Sequence, residues 1–179
     1  MHLESEDIID QPADVIYPLV RDNMSKLVPY LQNVEKIEPI EREELEGGPR
    51  IVCRWHPKVE IPSVAKKFVK PETFSWIDHA TWDDEHYKVD FYHEPYAAKD
   101  LFTVKGTNSF GPWEQDPTKT RLYVCCDVEI YPERLPGMPS FVAKRLRPTI
   151  ESMIKKMIQP NLTSLGKGLV RYFETQQTK

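Results

Sequence analysis

From Ser140 onward one apolar stripe dominates the chain. Ile150, Met153, Ile154, Met157, Ile158, Leu162, Leu165, Leu169 and Phe173 recur at three- and four-residue steps, the period of a helix with one buried face. Pro148 and Pro160 are expected to start, kink or segment this helix, because each removes a backbone donor. Gly166 and Gly168 weaken its last part. Upstream the period changes to two, the signature of strands with one face buried. An antiparallel sheet with one apolar face needs a cover, and the terminal helix is the one predicted element long enough to supply it.

His2 to Asp10 reads as a first strand, broken by Gln11-Pro12. Pro12 suits the first turn of a helix, and Val15, Ile16, Leu19 and Val20 follow helical spacing, as do Leu27, Val28 and Leu31. Asp22-Asn23 punctuates between them, which predicts two short helices. Val34–Glu44 and Pro49–His56 flank Glu46-Gly47-Gly48, a hairpin turn signal. After a proline-marked stretch, with one helical turn predicted around Val64–Phe68, come four more strands: Phe74–Asp83, Tyr87–Glu94, Leu101–Phe110 and Thr120–Tyr131. Pro136-Gly137 marks a turn before the last helix. With no repeat and no linker, residues 1–179 read as a single domain.

Alternation sorts each strand by face. Trp76, Asp78, Ala80 and Trp82 share one face, as do Tyr87, Val89, Phe91 and His93 on the next strand. Phe102, Val104, Gly106, Asn108 and Phe110 follow, and then Leu122, Val124, Cys126, Val128 and Ile130. A tight turn at Asp83–His86 sets Trp82 opposite Tyr87, Asp78 opposite Phe91 and Trp76 opposite His93, which leaves His93 diagonal to Asp78. Gly106 in mid-strand predicts a bend or bulge that opens room above the sheet.

Asp78 is the most informative polar residue, since a carboxylate on a tryptophan-rich face is costly unless paired or protonated. Three roles are open to it: a buried aspartate satisfied by His93, an arginine or backbone amides; a polar anchor that orients a ligand; or a general acid or base. Asn108 raises the same question with less force. Met153 and Met157 belong to the core or adapt to varied ligands. Cys126 reads as a small buried hydrophobe.

Several chemistries are discounted. Gly106-Thr-Asn-Ser-Phe-Gly111 lacks the lysine and following helix of a phosphate loop. No cysteine pair has zinc spacing, and His56, His79, His86 and His93 are scattered, so neither a metal site nor a cofactor is expected. The three cysteines make no disulfide framework, and the acidic start lacks the basic and apolar regions of a secretory signal, which points to the cytoplasm. A net charge of −4 argues against nucleic acid. The charge is uneven: residues 140–179 carry +6 and the remainder −10. That is either a solvated basic helix face or a surface that meets an anionic partner.

The chain resembles bacterial members of the START-like (SRPBCC) superfamily, which includes polyketide cyclases and ligand carriers of the birch-pollen-allergen type. The resemblance covers most of the chain. It rests on the order of elements, on Pro12-Ala-Asp-Val-Ile-Tyr-Pro-Leu-Val20 and on Val34-Glu-Lys-Ile-Glu-Pro-Ile-Glu-Arg42. Trp76-Ile-Asp-His-Ala-Thr-Trp82 and Pro160-Asn161-Leu162 look like motifs of a narrower bacterial subgroup. The resemblance implies an α+β helix-grip fold: a curved seven-stranded antiparallel sheet around a long C-terminal helix, with two short helices after the first strand. It also implies a cavity for lipids, sterols, polyketides or other hydrophobic metabolites, without deciding activity.

The leading expectation is binding, and transport, of a small hydrophobic ligand. Its expected wall is Trp76, Asp78, Phe91, His93, Val104, Asn108, Val124 and Cys126 from the sheet, with Phe141, Ile150, Met153 and Met157 from the helix. Phe141, Lys144, Arg145 and Arg147 form an expected contact with anionic membrane. The alternatives are a cyclase or dehydratase that uses Asp78 and His93 as an acid–base pair, and a protein-interaction module.

Overall fold

A computed structural model describes residues 1–177 except positions 59, 62, 64, 65, 68, 69, 98–100 and 135–138; the side chains of residues 71, 73, 153, 154 and 157–163 are likewise outside the described set. The predicted turns at Val64–Phe68 and Pro136-Gly137, and the Pro160-Asn161-Leu162 side chains, lie outside the described residues.

The elements run β1 (His2–Ile9), α1 (Ala13–Leu27), β2 (Val34–Leu45), β3 (Gly48–Pro57), β4 (Trp76–Asp83), β5 (Lys88–Pro95), β6 (Phe102–Trp113), β7 (Asp116–Ile130) and α2 (Ser140–Gln177). The seven strands form one antiparallel sheet in the order β1-β7-β6-β5-β4-β3-β2. Pro12 caps α1 from the position just outside it, where its missing N–H leaves no bond unmade. The predicted break falls at Asn23, which leaves helical geometry (φ −132°, ψ 28°), and a 3₁₀ turn, Val28–Tyr30, ends the segment. Ala13, Ile16, Tyr17, Val20 and Leu27 form its buried stripe. Tyr17, outside the predicted stripe, is the largest of these. Its hydroxyl donates to Asp84 Oδ1 at 2.9 Å, and Arg21 Nη1 donates to the same oxygen at 2.6 Å. Together they fasten α1 to the β4–β5 turn.

That turn corrects the predicted pairing. Asp83 Oδ1 accepts from the backbone N–H groups of Glu85 and His86, and Tyr87 takes a left-handed conformation (φ 52°), so the loop runs from Asp84 to Tyr87. Trp82 therefore faces Val89, Ala80 faces Phe91 and Asp78 faces His93. The offset from the predicted register is two residues, so every side chain keeps its predicted face. The Glu46-Gly47-Gly48 turn forms as predicted, with positive φ at both glycines, and a Cβ on Gly48 would collide with the Trp82 carbonyl.

Gly106 makes no bulge. Pairing runs through it without a shift on both sides, and the Phe91 ring lies where a Gly106 side chain would stand, 2.5 Å from the Cβ position. Nor do the prolines divide α2, which is helical from Ser140 to Gln177. Ile150, Leu165 and Leu169 bury its apolar face, each adding about 2 kcal/mol of transfer free energy.

Gly166 and Gly168 are contact points. A Cβ on Gly166 would stand 2.6 Å from Asp7 Cβ, and one on Gly168 would stand 3.0 Å from Leu31 Cδ2. α2 thus rests closely on β1 and on the segment after α1. Asp7 is caught beneath it, with Oδ2 buried and unpartnered among the described residues. Burial raises its carboxyl above the ordinary range, partly opposed by the charge of Lys167. With the folded-state value raised, Asp7 leaves stability intact below the ordinary carboxylate range and lowers it as pH rises through the folded-state value. Asp7→Asn is therefore expected to raise the Tm at pH 7, with the gain vanishing toward pH 3. Gly166→Ala is expected to destabilise by about 1–3 kcal/mol in denaturant titrations.

Candidate ligand cavity

Between the sheet and the two helices lies a cavity of about 140 Å³. Its floor comes from the inward parity of β3 to β7, and Val20, Met24, Ser164 and Leu165 close it from the helices. Cross-strand pairing places Trp55 of β3 against Trp76 of β4, their rings stacked with centroids 5.7 Å apart. Trp76 neighbours the His93 ring at 5.6 Å, and His93 neighbours Phe91 at 4.9 Å. An aromatic arc therefore crosses three strands, and Phe91 is seated over Gly106 at its end.

Polar atoms interrupt this apolar lining at defined places. Asp78 and His93 face each other across β4 and β5, with His93 Nε2 3.1 Å from Asp78 Oδ1. The two atoms are close but not aligned as a hydrogen bond, and Asp78 Oδ1 is buried with no hydrogen-bond donor among the described residues. Asn108 Oδ1 is in the same condition, as are the indole N–H groups of Trp55, Trp76 and Trp82. Leaving such an atom unpaired costs about 1–3 kcal/mol, more when it is charged. Ser164 is occupied, since its hydroxyl accepts from the Gln32 N–H at 3.1 Å and ties α2 to the segment after α1.

Cys53, opposite Asp78 on β3, and Cys126 have thiols pushed up to about 11, chiefly by burial; the Asp78 charge adds to the effect at Cys53. Neither is a thiolate at neutral pH, so neither is an activated nucleophile.

Of the residues expected at the wall, Trp76, Asp78, Phe91, His93, Val104, Asn108, Val124 and Cys126 line the cavity together. Ile150 is buried in the core at 1% exposure but is not among the described lining residues. Phe141 is 75% exposed on the first turn of α2, away from the cavity lining. The Met153 and Met157 side chains lie outside the described residues. Trp55, Trp82, Val20, Met24 and Ser164 join the wall without having been expected there. The parity of Ile51, Cys53 and Trp55 carries the signal for Trp55; Ser164 carries none, because its role depends on where α2 meets the Gln32 backbone.

Solved structures with the same arrangement are found. TTHA0849 from Thermus thermophilus aligns with 96% of this chain and 99% of its own, at 23% identity and a TM-score of 0.63. The Zhui aromatase/cyclase from a Streptomyces species aligns with 96% of this chain and 95% of its own, at 18% identity and a TM-score of 0.64. A START superfamily protein from Mycobacterium smegmatis covers 98% of both chains at 17% identity and a TM-score of 0.57. The fold is the START-like helix grip. No family model matches the sequence, and no curated protein does. At these identities the START-like likeness fixes the backbone frame, and the roles of the residues rest on the chemistry of this chain.

Proposed function

We propose that this protein binds, and carries, a small hydrophobic ligand in the cavity between the sheet and α2, within one domain spanning residues 1–179. The observation that carries the reading is the lining itself, with tryptophan, phenylalanine and aliphatic walls on all described sides and a few inward polar atoms for orientation. Volume refines the ligand class. About 140 Å³ is close to a cavity that takes up benzene and below the roughly 300–1,000 Å³ of sites for drug-sized ligands. One aromatic ring with a short substituent fits as the cavity stands; a lipid chain or fused polyketide needs α2 to shift outward.

A ligand of this class is expected to survive purification from the cytoplasm, the compartment this reading assigns to the protein. Native mass spectrometry of freshly purified protein should show an added small mass that denaturation and extraction release. Ala80→Leu, which adds three carbons at the cavity wall, should lose that mass while its circular dichroism stays unchanged. A clean apo mass together with no uptake of toluene would end the reading.

One observation favours a second reading, an acid–base enzyme of the cyclase or dehydratase type. Asp78 and His93 stand 3.1 Å apart on the cavity wall, residue types suited to acid–base work, and a protein of the same fold is named an aromatase/cyclase. Asp78→Asn should then lower turnover of a poly-β-ketone substrate by about 100-fold or more. Unchanged turnover would discard this assignment.

The outer face of α2 supports transient contact with an anionic membrane. Phe141 is exposed beside Lys144 and Arg145, whereas Arg147 is engaged by Glu151 at 2.7 Å and lies 3.8 Å from Glu133. Flotation with phosphatidylserine vesicles should recover the protein and lose it on Phe141→Ala; no recovery with or without anionic lipid would remove the idea.

A further inference from the structure

We infer that the cavity selects a compact aromatic amine, whose ammonium group is held by Asp78 among the surrounding rings, over neutral and anionic molecules of the same shape. The inference rests on the ligand-binding reading above and narrows it to a chemical class.

The charges on the wall decide the sign. Among the described lining residues Asp78 is the sole carboxylate, and no lysine or arginine is present. Its side chain is only 15% exposed, and its Oδ1 accepts no hydrogen bond among the described residues despite His93 Nε2 standing 3.1 Å away. A buried charge without a donor is far more costly than a buried neutral dipole. A ligand that meets the carboxylate therefore gains more than one that meets any of the three unpaired indole N–H groups. An ammonium meets it best, because it donates a charge-assisted hydrogen bond. Its remaining positive surface then falls on π faces. The Trp55, Trp76 and Phe91 rings stand around the Asp78–His93 pair, and such faces attract cations strongly when water is excluded.

Asn108 Oδ1 is a second unmet acceptor in the same cavity. It too favours a ligand that donates. A carboxylate ligand would bring like charge to Asp78, with no lysine or arginine on the described wall to offset it.

Benzylamine, benzyl alcohol, toluene and benzoate are near-isosteres within the available volume, and isothermal titration calorimetry on the full chain ranks them directly. Benzylamine is expected to bind about ten-fold or more tightly than benzyl alcohol and toluene, with benzoate weakest. Asp78→Asn should collapse that order by removing the advantage of benzylamine over benzyl alcohol and toluene. Equal affinities for the amine and the neutral ligands, or a preference for benzoate, would overturn the inference and leave the hydrophobic-ligand reading standing. An amine preference that survives in a folded Asp78→Asn protein would overturn it as well. If none of the four binds, this inference fails, and a clean apo mass alongside that result would end the ligand-binding reading too. The wild-type ranking is decisive even if Asp78→Asn does not fold.

Discussion

The close seating of α2 on β1 is the contact from which the rest of the molecule is arranged. A helix of 38 residues is a rod roughly 57 Å long, whereas the sheet beneath it is broad and twisted. Such a rod touches the sheet well only where side chains are removed. Gly166 above Asp7 and Gly168 beside Leu31 mark those places, and the Ser164 hydroxyl joins the same seam by holding the Gln32 N–H. Where the floor is lined by large rings the two surfaces cannot close, and the space between them is the cavity. Its position follows from a few small residues on one helix and large ones on the facing strands.

A second fastening sets the other end. Tyr17 is buried against Trp82 and Phe110, edge to face, and its hydroxyl shares Asp84 with Arg21. Asp22, adjacent in sequence, accepts from both Arg21 and Arg42, which holds its carboxyl below the ordinary range. α1 is thereby joined to the β4–β5 turn and to β2. Val20 and Met24, which roof part of the cavity, are carried by that fixed helix.

Much of this architecture is legible from alternation alone. The parity of Trp76 to Trp82, Val89 to His93 and Leu122 to Ile130 places each residue on its observed face, because the strand period is two whatever the neighbours do. Pairing is less legible. The turn after β4 depends on a carboxylate that gathers two backbone donors and on a left-handed Tyr87, neither of which residue type announces. Gly106 misleads for a related reason: a missing side chain marks either a distorted backbone or a neighbour that occupies the space, and here the neighbour is Phe91. Prolines at 148 and 160 predict interruptions from backbone chemistry, yet α2 runs on through both. Of the candidate site, the sheet half is readable and the helix half is not, since strand faces follow from local order while Ser164 and Met24 reach the cavity through tertiary packing.

Three of the four tryptophans, Trp55, Trp76 and Trp82, line the cavity, leaving Trp113 at the β6–β7 hairpin. Ultraviolet emission from this protein therefore originates mostly from rings on the cavity wall. Their environment is largely apolar, and Asp78 lies on the same cavity wall. Anything that enters changes the surroundings of those rings, so occupancy alters the colour and lifetime of the emission without an attached label. The molecule comes with its own optical gauge of whether the cavity is filled.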